Sequence, residues 1–173
     1  MQRVLVIGSG GAGKSTVAAR LGALTGLPVH HLDTLYWQPG WVLTPAPEWA
    51  RRVAELTAGP AWIMDGNYGG TLEQRLAACD TVLFLDLPRL VCVARVLRRW
   101  LRYRGRSRPD MTAGCPERIT GEFLRWVWRY PVERRPGVLR RLAAAQAGGV
   151  RVVHLRSTRE VERFLSGLAR DGA

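Results

Sequence analysis

The run Gly8-Ser-Gly-Gly-Ala-Gly-Lys-Ser15 limits what this chain can fold into more than any other stretch. Its glycines open backbone conformations closed to other residues, and its two flanks differ in kind. Residues 3–7 ahead of it are β-branched and apolar and read as a buried strand. Residues 14–25 behind it read as a helix with Val17, Leu21 and Leu24 on one face. A glycine loop between a buried strand and a helix turns successive backbone N–H groups inward. The helix adds the positive end of its dipole, and together they form a seat for an anion.

The spacing Gly8-x4-Gly13-Lys14-Ser15 matches the Walker A pattern. It assigns the phosphates of a nucleoside triphosphate to Gly8, Ser9, Gly10, Gly11, Ala12, Gly13, Lys14, Ser15 and Thr16. Lys14 is expected to reach the β- and γ-phosphates, and the Ser15 hydroxyl to ligate Mg2+. Residue usage sharpens this reading. The chain has 25 Arg and a single Lys, and that lysine is Lys14. A compact ammonium on a thin stem fits between phosphates where a planar guanidinium does not. The lone lysine also excludes the Asn-Lys-x-Asp guanine signature of GTPases, and 173 residues are too few for a transport ATPase.

Further strands are expected over residues 28–32, 61–64, 81–85 and 150–155. Helices are expected over 47–57, 71–78, 89–103, 117–130, 137–147 and 158–169, with a structured loop over 34–46 and a mobile, basic loop over 104–116. This alternation predicts an α/β fold: a single P-loop NTPase domain spanning 1–173, its five-stranded parallel sheet covered by helices on both faces. Three strands end at Asp33, Asp65 and Asp86, and ligands in open parallel sheets lie over the carboxyl ends of the strands. Asp65, followed by glycine, is expected to organise Mg2+ through water. Asp33 is expected to bind and deprotonate an acceptor hydroxyl, and Asp86 to cap the next helix.

The net charge of +12 is concentrated: residues 89–141 hold fifteen Arg against four carboxylates. Arg95 and Arg99 share a helix face, and Arg104, Arg106, Arg108 and Arg118 follow. Guanidiniums on a closing loop stabilise a moving phosphoryl group and exclude water. No apolar run approaches the ~20 residues that span a bilayer. The apolar stretch 4–7 is too short for a secretory leader. Cys79, Cys92 and Cys115 lack metal-ligand spacing and read as free thiols. A cytoplasmic protein without a membrane partner is expected.

These features resemble the adenylate-kinase-like P-loop kinases. Within them, His31-Leu-Asp-Thr-Leu-Tyr-Trp37, Asp65-Gly-Asn-Tyr68 and Arg108-Pro-Asp-Met-Thr-Ala-Gly-Cys-Pro-Glu-Arg118 resemble the small bacterial topology modulation proteins. The resemblance implies a phosphotransferase that uses ATP and Mg2+. It implies a catalytic set of Lys14, Asp33, Arg95, Arg99, Arg108 and Arg118, and a short lid over 100–116. Arg156 and Ser157, after the last strand, resemble the loop that borders adenine. Asn67, Tyr68 and Arg75 stand where adenylate kinase carries a different acceptor signature, so AMP is not promised. The acceptor is expected to be a nucleotide, nucleoside or other small molecule; an acceptor-binding insertion is expected over 34–60, and Asp33, Tyr36, Trp37, Asn67, Tyr68 and Arg75 are expected to hold the acceptor. A second reading uses the basic 89–141 segment for a nucleic-acid-associated ATPase or a regulator of DNA topology; the absence of a recognisable DNA-reading module weighs against it.

Overall fold

The computed structural model describes residues 1–171; the last two positions of the expected domain lie outside the described residues. Strand β1 (Arg3–Gly8) is central in a five-stranded parallel sheet of order β2-β5-β1-β6-β7. Its partners are β2 (Val29–His31), β5 (Trp62–Asp65), β6 (Thr81–Leu85) and β7 (Arg151–Leu155). Successive β1 side chains serve opposite faces, as strand geometry requires. Val4 and Val6 join the core beneath α1 (Lys14–Thr25), α5 (Arg89–Tyr103), α6 (Gly121–Glu133) and α8 (Thr158–Asp171). Leu5 and Ile7 join the core beneath α4 (Leu72–Ala78) and α7 (Arg135–Ala147). The register aligns Val6 with Asp65 and Gly8 with Leu85, so the carboxyl ends of the three middle strands open at one level.

Several expectations are revised. Asp33 does not end a strand: β2 stops at His31, and Asp33 lies in the first turn of α2 (Leu32–Tyr36). The expected loop over 34–46 contains a two-stranded hairpin, β3 (Trp37–Gln38) and β4 (Val42–Leu43), ahead of α3 (Ala46–Thr57). The helix expected from 117 starts at Gly121, because the Thr120 hydroxyl accepts the Phe123 N–H and sets the N-cap. Leu24 is exposed. Asp86 caps no helix; its carboxylate accepts from Arg135 Nε at 2.8 and 2.9 Å and pairs with His154 Nε2 at 2.7 Å. All three cysteines are free and buried. No helix among the described residues is long and apolar enough to cross a membrane.

Candidate functional site

The glycine loop between β1 and α1 is shaped by its neighbours as well as by its own freedom. Gly11 has φ 77°, and a Cβ there would lie 2.2 Å from the Cys92 carbonyl of α5. At Gly8 a Cβ would lie 2.4 Å from the Leu85 carbonyl of β6. No side chain fits at either point. Helix α5 and strand β6 therefore press on the loop and hold it open to the other side. Lys14 folds back over it, Nζ donating to the Gly8 and Ser9 carbonyls at 3.1 and 3.0 Å. Burial pulls Lys14 below the ordinary lysine value, while Asp33 and Asp65 pull the other way.

The loop forms the floor of a cleft of about 1030 Å3, lined from Gly10 through Val17. Gly8 and Ser9 lie behind that lining and contribute the carbonyls that hold Lys14. Ser15, Thr16 and Asp65 share the floor. Asp65 is buried, and its Oδ1 lies 2.7 Å from His31 Nδ1. That bond raises His31 above the ordinary histidine value despite partial burial. Hydroxyl and carboxylate oxygens on one floor suit a hard divalent cation beside phosphates.

Arginines line one wall. Arg95 donates to the Ala12 carbonyl at 3.3 Å and to the Thr158 hydroxyl at 2.7 Å. Arg99 and Arg108 converge on Glu117, at 2.9 and 2.7 Å. The Glu117 side chain is only 3% exposed, so this is a buried carboxylate between two guanidiniums. Burial and the neighbouring Arg108 hold Arg99 below the ordinary arginine value, and Glu117 opposes them. Arg108 also reaches Asp110 at 3.0 Å and comes within 3.8 Å of Asp33 Oδ2. Arg118 is exposed and lies over the Trp41 ring at 4.5 Å.

Opposite the loop stand Asp33, Trp37, Trp41 and Tyr68. Tyr68 donates its hydroxyl to Asp33 Oδ1 at 2.5 Å; burial first, then Asp33, raises its pKa far above the ordinary tyrosine value, so it remains a donor. Trp41 and Tyr68 are also the two positive-φ residues other than glycine among the described residues, at 65° and 31°. Strain of this kind concentrates where function holds a side chain in place.

Not every expected site residue reaches the cleft. Arg75 is fully buried and holds the backbone beneath Tyr68, donating to the carbonyls of Gly66, Asn67, Tyr68 and Thr71. Tyr36 packs edge-on to Trp49 in a small aromatic core and does not line the cleft. Asn67 borders the cleft, but its amide is occupied: it accepts the Gly8 N–H at 3.1 Å and donates to the Gly8 carbonyl at 2.7 Å. Arg156 and Ser157 lie off the lining; Ser157 Oγ accepts the Glu160 N–H at the start of α8, and Thr158 faces the cleft in their place. Glu117, Asp110, Thr112 and His31 were outside the expected site. Asp110 and Glu117 carried a signal, since they are the only carboxylates among the arginines of residues 89–121.

The segment after α5 is tied to the β3–β4 hairpin. Thr112 Oγ1 donates to the carbonyls of Trp37 and Thr34, at 2.6 and 3.0 Å. Cys115 Sγ lies 3.2 Å from the Gln38 carbonyl, and the Trp41 indole N–H donates to the Pro116 carbonyl at 3.2 Å. The Gly40 N–H donates to the Gly114 carbonyl at 3.0 Å.

Solved structures share this architecture. An unliganded sugar kinase from Janibacter sp. HTCC2649 superposes with a TM-score of 0.50 at 21% identity, over 100% of this chain and 96% of that one. Shikimate kinase from Acinetobacter baumannii, solved with shikimate, gives 0.54 at 16% identity, over 99% and 94%. No family model matches the chain, and no curated protein matches it in sequence. The chain therefore shares its parallel α/β fold with these two kinases.

Proposed function

We propose that this P-loop fold serves an ATP-dependent phosphotransferase of the adenylate-kinase-like class, in the topology modulation subgroup, acting on a small acceptor. One observation carries the reading: the Lys14 loop and the Asp33 carboxylate line one cleft, with Arg95, Arg99 and Arg108 along the wall between them. Phosphoryl transfer needs those parts and little covalent help from the protein. Both neighbouring structures are named kinases, which agrees with it. Six of the fifteen arginines in residues 89–141 face the cleft, which favours a phosphate ligand over an extended nucleic acid as the partner of that charge.

In this reading the chain is one domain, with an acceptor region over 34–60 and a lid over 100–116. Gly10 to Thr16 hold the phosphates by backbone N–H groups. Lys14 leaves the Gly8 and Ser9 carbonyls for the β- and γ-phosphates. Ser15 and Asp65 hold Mg2+, which when bound neutralises phosphate charge. The acceptor hydroxyl oxygen forms a bond to the γ-phosphorus while the bond from that phosphorus to the β–γ bridging oxygen breaks, and ADP leaves with that electron pair. The hydroxyl proton passes to Asp33, whose Oδ2 is the oxygen not engaged by Tyr68. Arg95, Arg99, Arg108 and Arg118 stabilise the charge on the moving phosphoryl oxygens.

The test is ADP release with a panel of acceptors. Wild-type protein releases ADP much faster with one of them than with water alone. Lys14→Ala abolishes nucleotide binding, whereas Asp33→Asn retains ATP binding and lowers acceptor turnover by about 100-fold or more. A panel that never exceeds the bare ATPase rate would overturn the assignment.

A further inference from the structure

The acceptor end of the cleft has a charge pattern of its own. An acceptor bearing phosphate or carboxylate needs an unpaired cation to seat it. The buried Arg108 and the half-buried Arg99 are already matched. Arg99 and Arg108 share Glu117, and Arg108 also holds Asp110 and approaches Asp33. Arg118 carries no carboxylate partner, but it is exposed and laid on the Trp41 ring. His31 is bonded to Asp65.

Among the described residues, Asp33 and Asp110 are left open as acceptors of hydrogen bonds. The Asp33 side chain is 40% exposed and that of Asp110 is 21% exposed, each with an oxygen facing no hydrogen-bond donor at close range. An ionised carboxylate can only accept, so it demands donors such as hydroxyls. It also repels an anionic acceptor. Beside them, Trp37 and Trp41 meet edge to face at 5.2 Å and 73°. They form an apolar corner that covers a ring rather than a chain. The Trp41 indole is held there by a positive φ and by its bond to Pro116, which fixes the corner before any ligand arrives.

We infer that the acceptor is an uncharged polyhydroxylated ring, its hydroxyls bonded by Asp33 and Asp110 and its apolar face laid against Trp37 and Trp41. This deepens the phosphotransferase reading and rests on it. A free monosaccharide and the ribose of a nucleoside present the same chemistry. The phosphoryl group passes from ATP to one ring hydroxyl, giving a sugar phosphate and ADP, with the hydroxyl proton on Asp33. Asp110 is a specificity residue: it bonds a neighbouring hydroxyl and takes no part in the transfer.

The experiment measures ADP release by the full chain with ATP and Mg2+ and four acceptor sets: neutral monosaccharides, nucleosides, nucleoside monophosphates, and shikimate as a hydroxy acid. A neutral set raises the rate at least about tenfold above water and the anionic sets do not; which neutral set does so distinguishes the two sources. Asp110→Asn raises the KM of the active neutral acceptor about tenfold with a far smaller change in kcat. Circular dichroism confirms that the variant is folded, and Asp110→Glu recovers part of the loss. If only nucleoside monophosphates or shikimate stimulate, the inference is overturned and the phosphotransferase reading survives. If no acceptor stimulates, both fall. If Asp110→Asn lowers kcat and leaves KM unchanged, the specificity role is overturned.

Discussion

Asp80 and Arg75 do at the scale of single residues what no periodic pattern does. Asp80 sits before β6, and its Oδ2 accepts the N–H groups of Gln2 and Arg3, both at 2.8 Å, while Oδ1 accepts the Thr81 hydroxyl at 2.7 Å. Burial pushes its carboxyl up, and the bonds from Thr81, Arg3 and Gln2 outweigh that and leave it below 3.8. The folded state therefore binds fewer protons than the unfolded state beneath that value. Stability from this group is full above it and is lost as the pH falls through the folded pKa. Asp80→Ala is expected to cost about 2 kcal/mol at neutral pH. In urea melts at stepped pH, the gap between wild type and variant should close below pH 3.8; a gap independent of pH would remove the carboxylate from the explanation. Arg75 was expected to bind an acceptor and instead braces the backbone under Tyr68. Burial lowers its pKa to about 10, which leaves it charged at neutral pH and fully committed to carbonyls. Nothing local in Leu-Glu-Gln-Arg-Leu separates a buried brace from a binding arginine.

Among the elements, those with a strong local pattern came out where expected. The boundaries of α1, β6 and α5 coincide with the sequence expectation. Their apolar spacing, and the glycine or proline punctuation beside each, agree with the fold. Helix α6 shows what competes with periodicity. Ile119 stands four residues before Phe123, as a helical apolar stripe would place it, but Glu117 is drawn into the arginine pair and Thr120 caps the helix, so residues 117–120 lie outside it. Thr120→Ala is expected to destabilise the protein by about 1 kcal/mol in chemical denaturation. Phe123 lies within 2.9 Å of a Cβ built on Gly10, so the cap also fixes a helix that presses on the phosphate loop. A variant as stable as wild type would show that the α6 start is held by packing alone.

Across the whole molecule, the basic segment and the β3–β4 hairpin are bonded to each other. Thr112, Cys115 and Trp41 bond the residues after Pro109 to residues 34–41, so a displacement of either segment would carry the other with it. Thr112→Val should loosen that union. The acceptor KM should rise about tenfold, and ADP release without acceptor should increase as water enters. Unchanged kinetics in both respects would mean that the two segments move independently. By itself the sequence determined the parallel α/β layering, the glycine loop between β1 and α1 and the wealth of arginine near it, because each is written in neighbouring residues whose spacing matches one backbone geometry. Tertiary structure alone decided which arginines are free, that Glu117 binds two of them, that Tyr36 and Arg75 turn away from the cleft, and that Trp37 and Trp41 form its far corner. Where the arginine segment meets Asp33 and the Trp37–Trp41 corner, the paired residues lie 75 positions apart in the chain. A linear pattern records which side chains are available, and only chain crossing and burial select their partners.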